Sequence, residues 1–295
     1  MNLKQCKKVN KEIYTRKVTT LKRAWRIARR WLASNSTLPA FKFWPKFLIY
    51  HSKELFSTKS IKFRDGLGLT YHSPVHNASS FITYLNGYRD YNVYMFYKKW
   101  LKPTDCAVDV GGNIGTHLLP IASLLTDEGV VIGYEVDCEV CSLLEQNCAK
   151  NDMGNVIIRC CAISDRGGVI HLNRNYINRG QTSVSHSGQF RGLVGNSVTL
   201  DDDVELLIKK REINLMKIDV EGHEAEVIRG AKDVLQRSKR IAVVMEHFEE
   251  GDNEAPQLLS DMGFSPFNAN TTGDLEPATD GFGDNVIWVK NTTGS

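Results

Sequence analysis

A short apolar run that leads directly into a glycine-rich loop places the strongest constraint on how this 295-residue chain can fold. Residues 106–110 read Cys-Ala-Val-Asp-Val, which is typical of a buried parallel strand. The loop 111–115 follows, and apolar residues then recur at helical spacing as far as Leu125. A strand, a glycine turn and a helix in this order aim backbone N–H groups at a bound ligand. The pattern predicts the first unit of a doubly wound α/β sheet.

Two acidic residues indicate which ligand this unit would bind. The next apolar run, 130–134, ends at Glu135, which lies 20 residues after Gly115, and a carboxylate at this position can accept both ribose hydroxyls. Asp109 stands just before the loop, where its charge would repel a pyrophosphate but would attract an ammonium and a sulfonium. These charges favour S-adenosylmethionine over a dinucleotide as the cofactor.

The alternation of strands and helices continues to the end of the chain. Apolar runs at 156–159, 215–218, 241–245 and 285–289 predict further strands, with helical spacing between them. Because a doubly wound sheet binds ligands beyond the carboxyl ends of its strands, the residues that follow these runs are candidates for the active site.

Four segments of the chain resemble the FkbM family of S-adenosylmethionine-dependent methyltransferases. They are Asp-Val-Gly-Gly-Asn-Ile-Gly at 109–115, Cys-Ala-Ile-Ser-Asp at 161–165, Val-Thr-Leu-Asp-Asp at 198–202 and Lys-Ile-Asp-Val-Glu-Gly-His-Glu at 217–224. The resemblance implies a Rossmann-like α/β fold, with a doubly wound sheet of seven strands of which one is reversed. It also implies transfer of a methyl group, usually to an oxygen.

The same resemblance assigns the cofactor-binding residues to three parts of S-adenosylmethionine. They are Asp109, Gly111, Asn113 and Gly115 for the methionine part, Glu135 for the ribose, and Ala162 with Ser164 for the adenine.

Five residues that follow two neighbouring strands are the candidates for catalysis: Asp219, Glu221, His223, Glu246 and His247. Asp219 is expected where the methyl group meets the acceptor. A hydroxyl acceptor needs a base near its proton, and the two histidines are candidates because histidine titrates close to neutral pH. Either histidine could instead be an ordinary structural residue. Asp219, Glu221 and His223 could also offer ligands to a metal ion, although we expect a site without a metal.

The expected function is therefore O-methylation of a hydroxyl on a sugar, a glycan or a small metabolite. Two alternatives remain open: an RNA methyltransferase that holds phosphates with basic residues, and a non-catalytic binding module tethered to a membrane. The polar segment 173–197 is expected to form a loop over the site that binds the acceptor. The oligomeric state is left open.

Charge divides the chain into a basic arm and an acidic body. Residues 1–46 contain 13 Lys and Arg but one acid, whereas the remainder contains 24 basic and 33 acidic residues. Residues 18–32 have the pattern of a basic amphipathic helix, which favours an anionic membrane surface as partner over nucleic acid. The helix could also be an organelle presequence or pack on the body. We expect three parts: this arm at 1–46, a small strand-rich cap at 47–90 and a methyltransferase domain at 91–295.

Cysteine content and hydropathy bear on the compartment. The chain has seven cysteines, no apolar run long enough to span a bilayer and no pattern of a secretory signal peptide. We expect a cytoplasmic protein that the arm can attach to a membrane, with organelle import left open. No disulfide framework is expected in a reducing compartment, and Cys138 and Cys141 are expected to be half-buried thiols on a helix.

Overall fold

The computed structural model describes residues 40–56, 60–74, 77–174, 182–184, 193–246, 254–278 and 285–290. The helices of these residues are α1 (Ala40–Phe56), α2 (Ala78–Asn86), α3 (Tyr91–Trp100), α4 (Leu118–Ala122), α5 (Cys138–Lys150), α6 (Leu200–Ile208), α7 (Glu224–Arg229), α8 (Lys232–Arg237) and α9 (Glu254–Asp261). The strands are β1 (Ser60–Arg64), β2 (Thr70–Pro74), β3 (Cys106–Val110), β4 (Val130–Tyr134), β5 (Val156–Arg159), β6 (Ala162–Ile163), β7 (Gly168–Arg174), β8 (Thr182–Val184), β9 (Leu193–Val198), β10 (Leu215–Ile218), β11 (Ala242–Glu246), β12 (Phe264–Ala269), β13 (Leu275–Pro277) and β14 (Asn285–Lys290).

The main sheet confirms the predicted Rossmann-like α/β fold. Its strand order is β13-β12-β14-β11-β10-β3-β4-β5. Strands β5, β4, β3, β10 and β11 are parallel, and β14 runs against both β11 and β12, so seven strands with one reversed form the expected arrangement. The three-residue β13 pairs with β12 and extends the edge to an eighth strand, which a run this short could not predict.

Helices cover both faces of this sheet and bury its centre. One apolar cluster contains Val108 of β3 with residues of α6–α9, and a second contains Ala107 with residues of α3, α4 and α5. Every residue of β3 and β10 is buried, as expected for strands between two helical layers. Two of these buried residues have ionisable side chains, Asp109 in β3 and Lys217 in β10.

The segment before the sheet differs from the predicted strand-rich cap. It contains two helices, α1 and α2, besides the two strands of the β1–β2 hairpin. Helix α1 also runs across the expected boundary between residues 46 and 47. The hairpin is joined to α5 by Asn147, whose Oδ1 accepts the backbone N–H of His72 at 2.7 Å. Asn151 accepts the backbone N–H of Thr70 in the same way at 2.8 Å. The predicted helix at 18–32 lies outside the described residues.

A second sheet corrects part of the expectation of a loop at 173–197. Strands β6, β9, β7 and β8 form a four-stranded sheet, and β9 pairs antiparallel with β7 from Gly168↔Ser197 to Leu172↔Leu193. Leu172 is buried while Val169 is exposed. Residues 175–181 and 185–192 lie outside the described residues, and a role of the segment in binding the acceptor stays a prediction.

One disulfide contradicts the expectation for the cysteines. Cys141 of α5 is bonded to Cys160, 19 residues later, because the chain after β5 returns to the start of that helix. Cys138 is free and exposed, so the two are not equivalent half-buried thiols. Among the described residues, no helix combines the length and the apolar character that crossing a bilayer would need.

Candidate active site

The glycine loop after β3 adopts a backbone that requires glycine at two positions. Gly111 has φ 86° and Gly115 has φ 92°. A Cβ at Gly111 would lie 2.0 Å from the carbonyl oxygen of Asp219, and one at Gly115 would lie 2.1 Å from a methyl carbon of Leu119. The loop is therefore pressed against β10 on one side and the following helix on the other, which leaves its other side open to a ligand.

Glu135 lines the cleft above this loop and is fixed by two backbone amides. Its Oε2 accepts the N–H of Asn113 at 2.9 Å and its Oε1 accepts that of Asp137 at 2.8 Å. Burial is the main cause that raises the pKa of Glu135, to about 7. The carboxylate occupies the end of β4, where the sequence predicted a ribose-binding acid.

Asp109 lies in β3 beneath the loop. Its side chain is buried, and its Oδ2 is among the buried polar atoms of the described residues that have no hydrogen-bond partner. Burial raises the pKa of Asp109 to about 7, and the positive charge of Lys217 opposes this. An acceptor atom without a partner in this position is suited to an ammonium group.

Lys217 is a site residue that the sequence analysis missed. It stands opposite Asp109 in the register of β10 with β3, and its Nζ donates to the carbonyl oxygen of Ile218 at 3.1 Å. The positive charge of Lys217 also opposes the rise in the pKa of Glu246 that burial causes. A lysine within an otherwise apolar four-residue strand was the signal, since an unpaired buried charge is costly.

The wall on the β5 side of the cleft is apolar. Cys161, Ala162 and Ile163 line it together with Val136 and Val140. Such a surface suits a flat ring such as adenine. Ala162 therefore lies in the cleft wall, and its contact with the adenine stays a prediction.

Ser164, the second residue predicted near the adenine, is engaged elsewhere. It is absent from the described residues that line the cleft, and its hydroxyl is 3.0 Å from Nε2 of His223. Nδ1 of the same histidine lies 3.3 Å from Oε2 of Glu226. His223, which also lines the cleft at the start of α7, is thus held at Nε2 by Ser164.

Asp219 and Glu246 meet at the ends of the adjacent strands β10 and β11. Both line the cleft, where burial, and then the negative charge of Asp219, raise the pKa of Glu246 to about 7. Glu246 can therefore gain or lose a proton near neutral pH.

Glu221 also lines the cleft, on a strained turn. Its φ is 54°, and Gly222 follows with φ 97°. Backbone strain of this kind is found at functional sites. His247, the remaining catalytic candidate, lies outside the described residues.

The alternative metal site at Asp219, Glu221 and His223 has no support in this geometry. Within the described part of the chain, the residues whose ligand atoms all lie within 4.8 Å of one another are Cys141, Glu145 and Cys160, and the two cysteines are already bonded.

Three further cleft residues come from the segment before the sheet and were not predicted: Ala78, Ser79 and Arg89. The first two form the first turn of α2, which Asn77 caps by accepting the N–H of Ser80 at 3.0 Å. The amide of Asn77 also donates to Oδ1 of Asn113 at 2.9 Å and so joins α2 to the glycine loop. Asparagine is a common N-cap residue, but the contact of Asn77 with Asn113 links positions 36 residues apart, which no local pattern indicates.

The cleft fits S-adenosylmethionine in its donor set. Glu135 suits the ribose hydroxyls, and the partial positive charge at the start of α2 suits the carboxylate. Asp109 is not among the described residues that line the cleft, and its unpartnered Oδ2 would act on the ammonium from beneath the glycine loop.

The comparisons with known proteins agree with this arrangement. Hexuronic acid methyltransferase AglP from Haloferax volcanii is 29% identical over 165 residues, which are 55% of this chain and 64% of that protein. The match thus spans less than two thirds of the relative's length.

Solved structures are more distant. Methyltransferase FkbM from Methylobacillus flagellatus is 15% identical, with 68% of this chain and 48% of that chain covered and a TM-score of 0.44. An S-adenosylmethionine-dependent O-methyltransferase from Thermotoga maritima is 12% identical, with 81% of each chain covered and a TM-score of 0.42.

The family model described as the methyltransferase FkbM domain matches residues 109–266, which are more than half of the 295 residues. The match begins at Asp109 and includes Glu135, Asp219 and Glu246. The chain therefore belongs to the FkbM family of methyltransferases.

Proposed function

We propose that this chain is an S-adenosylmethionine-dependent O-methyltransferase that methylates a hydroxyl group of a sugar. The observation that carries the proposal is the pair of acids Asp219 and Glu246, which line the same cleft as the glycine loop. The relative from Haloferax volcanii supports a sugar as the acceptor, since its name describes a hexuronic acid methyltransferase.

The residues of the cleft divide the work between binding and proton transfer. S-adenosylmethionine, when bound, supplies a methyl group on a positively charged sulfur. Asp109 and Glu135 hold its ammonium and ribose, and this fixes the direction from which the acceptor must approach. Glu246, in its carboxylate form, accepts the hydroxyl proton as the new bond between oxygen and carbon forms. Asp219, at the end of the adjacent strand β10, helps to orient Glu246.

The acid pair favours a hydroxyl over a carboxylate as the reacting group. A hydroxyl is a poor nucleophile that needs a base, and Glu246 titrates in the range where it can act as one. A reacting carboxylate needs no base, and two neighbouring acids would repel it. The product is therefore expected to be a methyl ether.

The test is a transfer assay with methyl-labelled S-adenosylmethionine against a panel of neutral and acidic oligosaccharides and RNA. Label in a sugar product that survives mild alkali supports the proposal, because a methyl ester would release methanol. Label in RNA alone would instead support the nucleic-acid alternative, and alkali-labile label would contradict the hydroxyl acceptor.

A variant pair connects this assay to the site. Asp219→Asn should lower kcat by about 100-fold or more while cofactor affinity stays within a few-fold, since its role is in proton transfer. Asp127→Asn removes an exposed acid outside the cleft and should have no effect. Equal turnover of both variants would exclude Asp219 from the reaction.

A further inference from the structure

Arg89 differs in charge from the rest of the cleft. The described lining residues include Glu135, Asp219, Glu221 and Glu246, whereas Arg89 is the one lysine or arginine among them. A cationic cofactor explains the acids but not the arginine. An arginine that faces an acid-lined cleft therefore indicates a second, negatively charged ligand group.

The turn that carries Arg89 is fixed from both sides. Gly87 ends α2 in the left-handed conformation, and its carbonyl oxygen accepts the N–H of Gly66 at 2.7 Å. Asp90 caps α3 by accepting the N–H of Val93 at 3.2 Å. Arg89 thus begins from a rigid backbone, which lowers the entropy lost when its side chain binds a ligand.

The same turn is tied to the strand end that carries Glu246. The side-chain amide of Asn285 donates to Oδ2 of Asp90 at 2.9 Å, and Asn285 stands opposite Glu246 in the register of β14 with β11. Arg89 is therefore held beside β11, and its positive charge acts on Glu246.

The guanidinium is available for binding. Arg89 is half-buried, and within the described residues it makes no hydrogen bond and no ion pair within 4.0 Å. An arginine with its donors unused at this depth keeps its capacity for a bidentate contact to a carboxylate.

The carboxylate of the cofactor has a different partner. The first turn of α2, at Ala78 and Ser79, is joined to the glycine loop through Asn77 and Asn113, at the end of the cleft where the methionine part lies. The turn of Arg89 is tied instead to the end of β11, through Asp90 and Asn285. The first turn of α2 and Arg89 are thus joined to different strand ends, those of β3 and β11.

We propose that Arg89 binds the carboxylate of an acidic sugar and so selects uronic acids as acceptors for this enzyme. The assignment rests on the proposed sugar O-methyltransferase function and makes its substrate class specific. With the carboxylate held by Arg89, a hydroxyl on the same ring or on the adjoining one faces Glu246.

The experiment compares two acceptors that differ in one group, an oligosaccharide ending in glucuronic acid and its counterpart ending in glucose. The wild-type protein should use the glucuronic acid form with a kcat/KM about 100-fold higher, as expected for a buried contact between two charges. Arg89→Gln should remove most of this preference by lowering kcat/KM for the acidic sugar far more than for the neutral sugar, which is affected only through the charge of Arg89 on Glu246. Arg64→Gln, a change at an exposed arginine of the β1–β2 hairpin, is the matched control and should keep it.

Cofactor affinity separates this assignment from the competing role. Titration with S-adenosylhomocysteine should give the same Kd for Arg89→Gln and the wild type within about threefold, since Arg89 is not expected to touch the cofactor. A large loss of affinity would place the cofactor carboxylate on Arg89 and overturn the proposal.

The remaining outcomes distinguish this inference from the proposed function. Equal use of the acidic and neutral sugars by the wild type would contradict the role of Arg89 but leave sugar O-methylation intact. Absence of methyl transfer to both sugars would contradict the proposed function, and the acceptor assignment with it.

Discussion

The two ends of the cleft are built in different ways. At the proposed cofactor end, Asp109 and Glu135 are 2% and 8% exposed, and Glu135 is held by the backbone amides of Asn113 and Asp137. At the proposed acceptor end, Glu246 is half-buried beside Asp219, and Arg89 reaches the cleft from a distant turn.

This difference shows how one cleft can combine constant and adjustable parts. Backbone donors cannot move without unfolding the loop, so the cofactor end has a single geometry. Side chains that bond to one another can exchange a proton and respond to the acceptor. The four predictions below test the contrast, in order of decreasing effect.

The largest effect is expected at the backbone of the cofactor end, from Gly111→Ala. The new methyl group would meet the carbonyl oxygen of Asp219, and φ 86° is unfavourable for alanine. We expect stability to fall by about 3 kcal/mol or more and cofactor affinity to fall by about 100-fold, because the loop must move. Urea unfolding and calorimetric titration with S-adenosylmethionine measure both quantities.

Gly68→Ala is the matched control for this change. Gly68 has φ 83°, but a Cβ there would meet nothing within 4 Å. It should cost about 1 kcal/mol from the backbone alone, without loss of cofactor affinity. If Gly111→Ala and Gly68→Ala behaved alike, the close approach of the loop to β10 would contribute neither to stability nor to cofactor affinity.

The second effect belongs to the acceptor end. Glu246→Gln removes the proposed base and should lower kcat by about 100-fold or more, with cofactor affinity within a few-fold of the wild type. In the wild type, kcat at saturating substrates should rise with pH until Glu246 is ionised, near its pKa of about 7, and stay level above it. The residual activity of the variant should lack this rise. A variant that keeps both the rate and the pH profile would assign the proton to another residue.

The contrast also explains how much of the site could be predicted from the sequence. Asp109, the glycine loop and Glu135 lie within 27 consecutive residues, and a strand, a turn and a helix fix their geometry locally. Asp219 and Glu246 followed from topology, because parallel strands end at the same edge. These parts of the fold and the cleft were accessible without coordinates.

Other parts depend on contacts between distant segments. Arg89 reaches the cleft through a turn that Asn285 holds from 195 residues away, and no local pattern reports such a contact. Strands β7 and β9 depend on their pairing with each other, which joins positions as distant as Gly168 and Ser197. The pairing of Cys141 with Cys160 required knowing that β5 returns to α5. Each of these features depends on a contact between distant segments, which amino-acid composition does not reveal.

The third effect concerns the apolar wall of the cofactor end. The bond between Cys141 and Cys160 joins the helix that carries Val140 to the segment that carries Ala162, and both residues line the cleft. Replacing both cysteines by alanine should lower the free energy of unfolding by about 3 kcal/mol, as for other loops of this length. Cofactor Kd should rise by a few-fold, and kcat at saturation should be unchanged.

Cys138→Ala is the control for that variant, since Cys138 is free, exposed and on the same helix. It should leave stability and Kd as they are. A loss of kcat in the double variant would show that the apolar wall of the cleft also positions the residues of the acceptor end. The two ends would then not act independently.

The smallest effect is the cost of burying acids before the cofactor binds. Burial raises the pKa of Asp109 to about 7, whereas an unfolded aspartate titrates near about 4. Between these values the folded protein binds more protons than the unfolded chain, so the stability of the cofactor-free protein should fall as pH rises. The slope from this group is at most about 1.4 kcal/mol per pH unit and vanishes above pH 7.

In Asp109→Asn this part of the slope should disappear, whereas the surface variant Asp127→Asn should retain it. Saturation with S-adenosylmethionine should also flatten the wild-type slope, because the ammonium favours the ionised acid. Urea unfolding between pH 4.5 and 8, with and without cofactor, measures each slope, and an equal slope in Asp109→Asn would mean that the carboxylate is already ionised in the empty cleft.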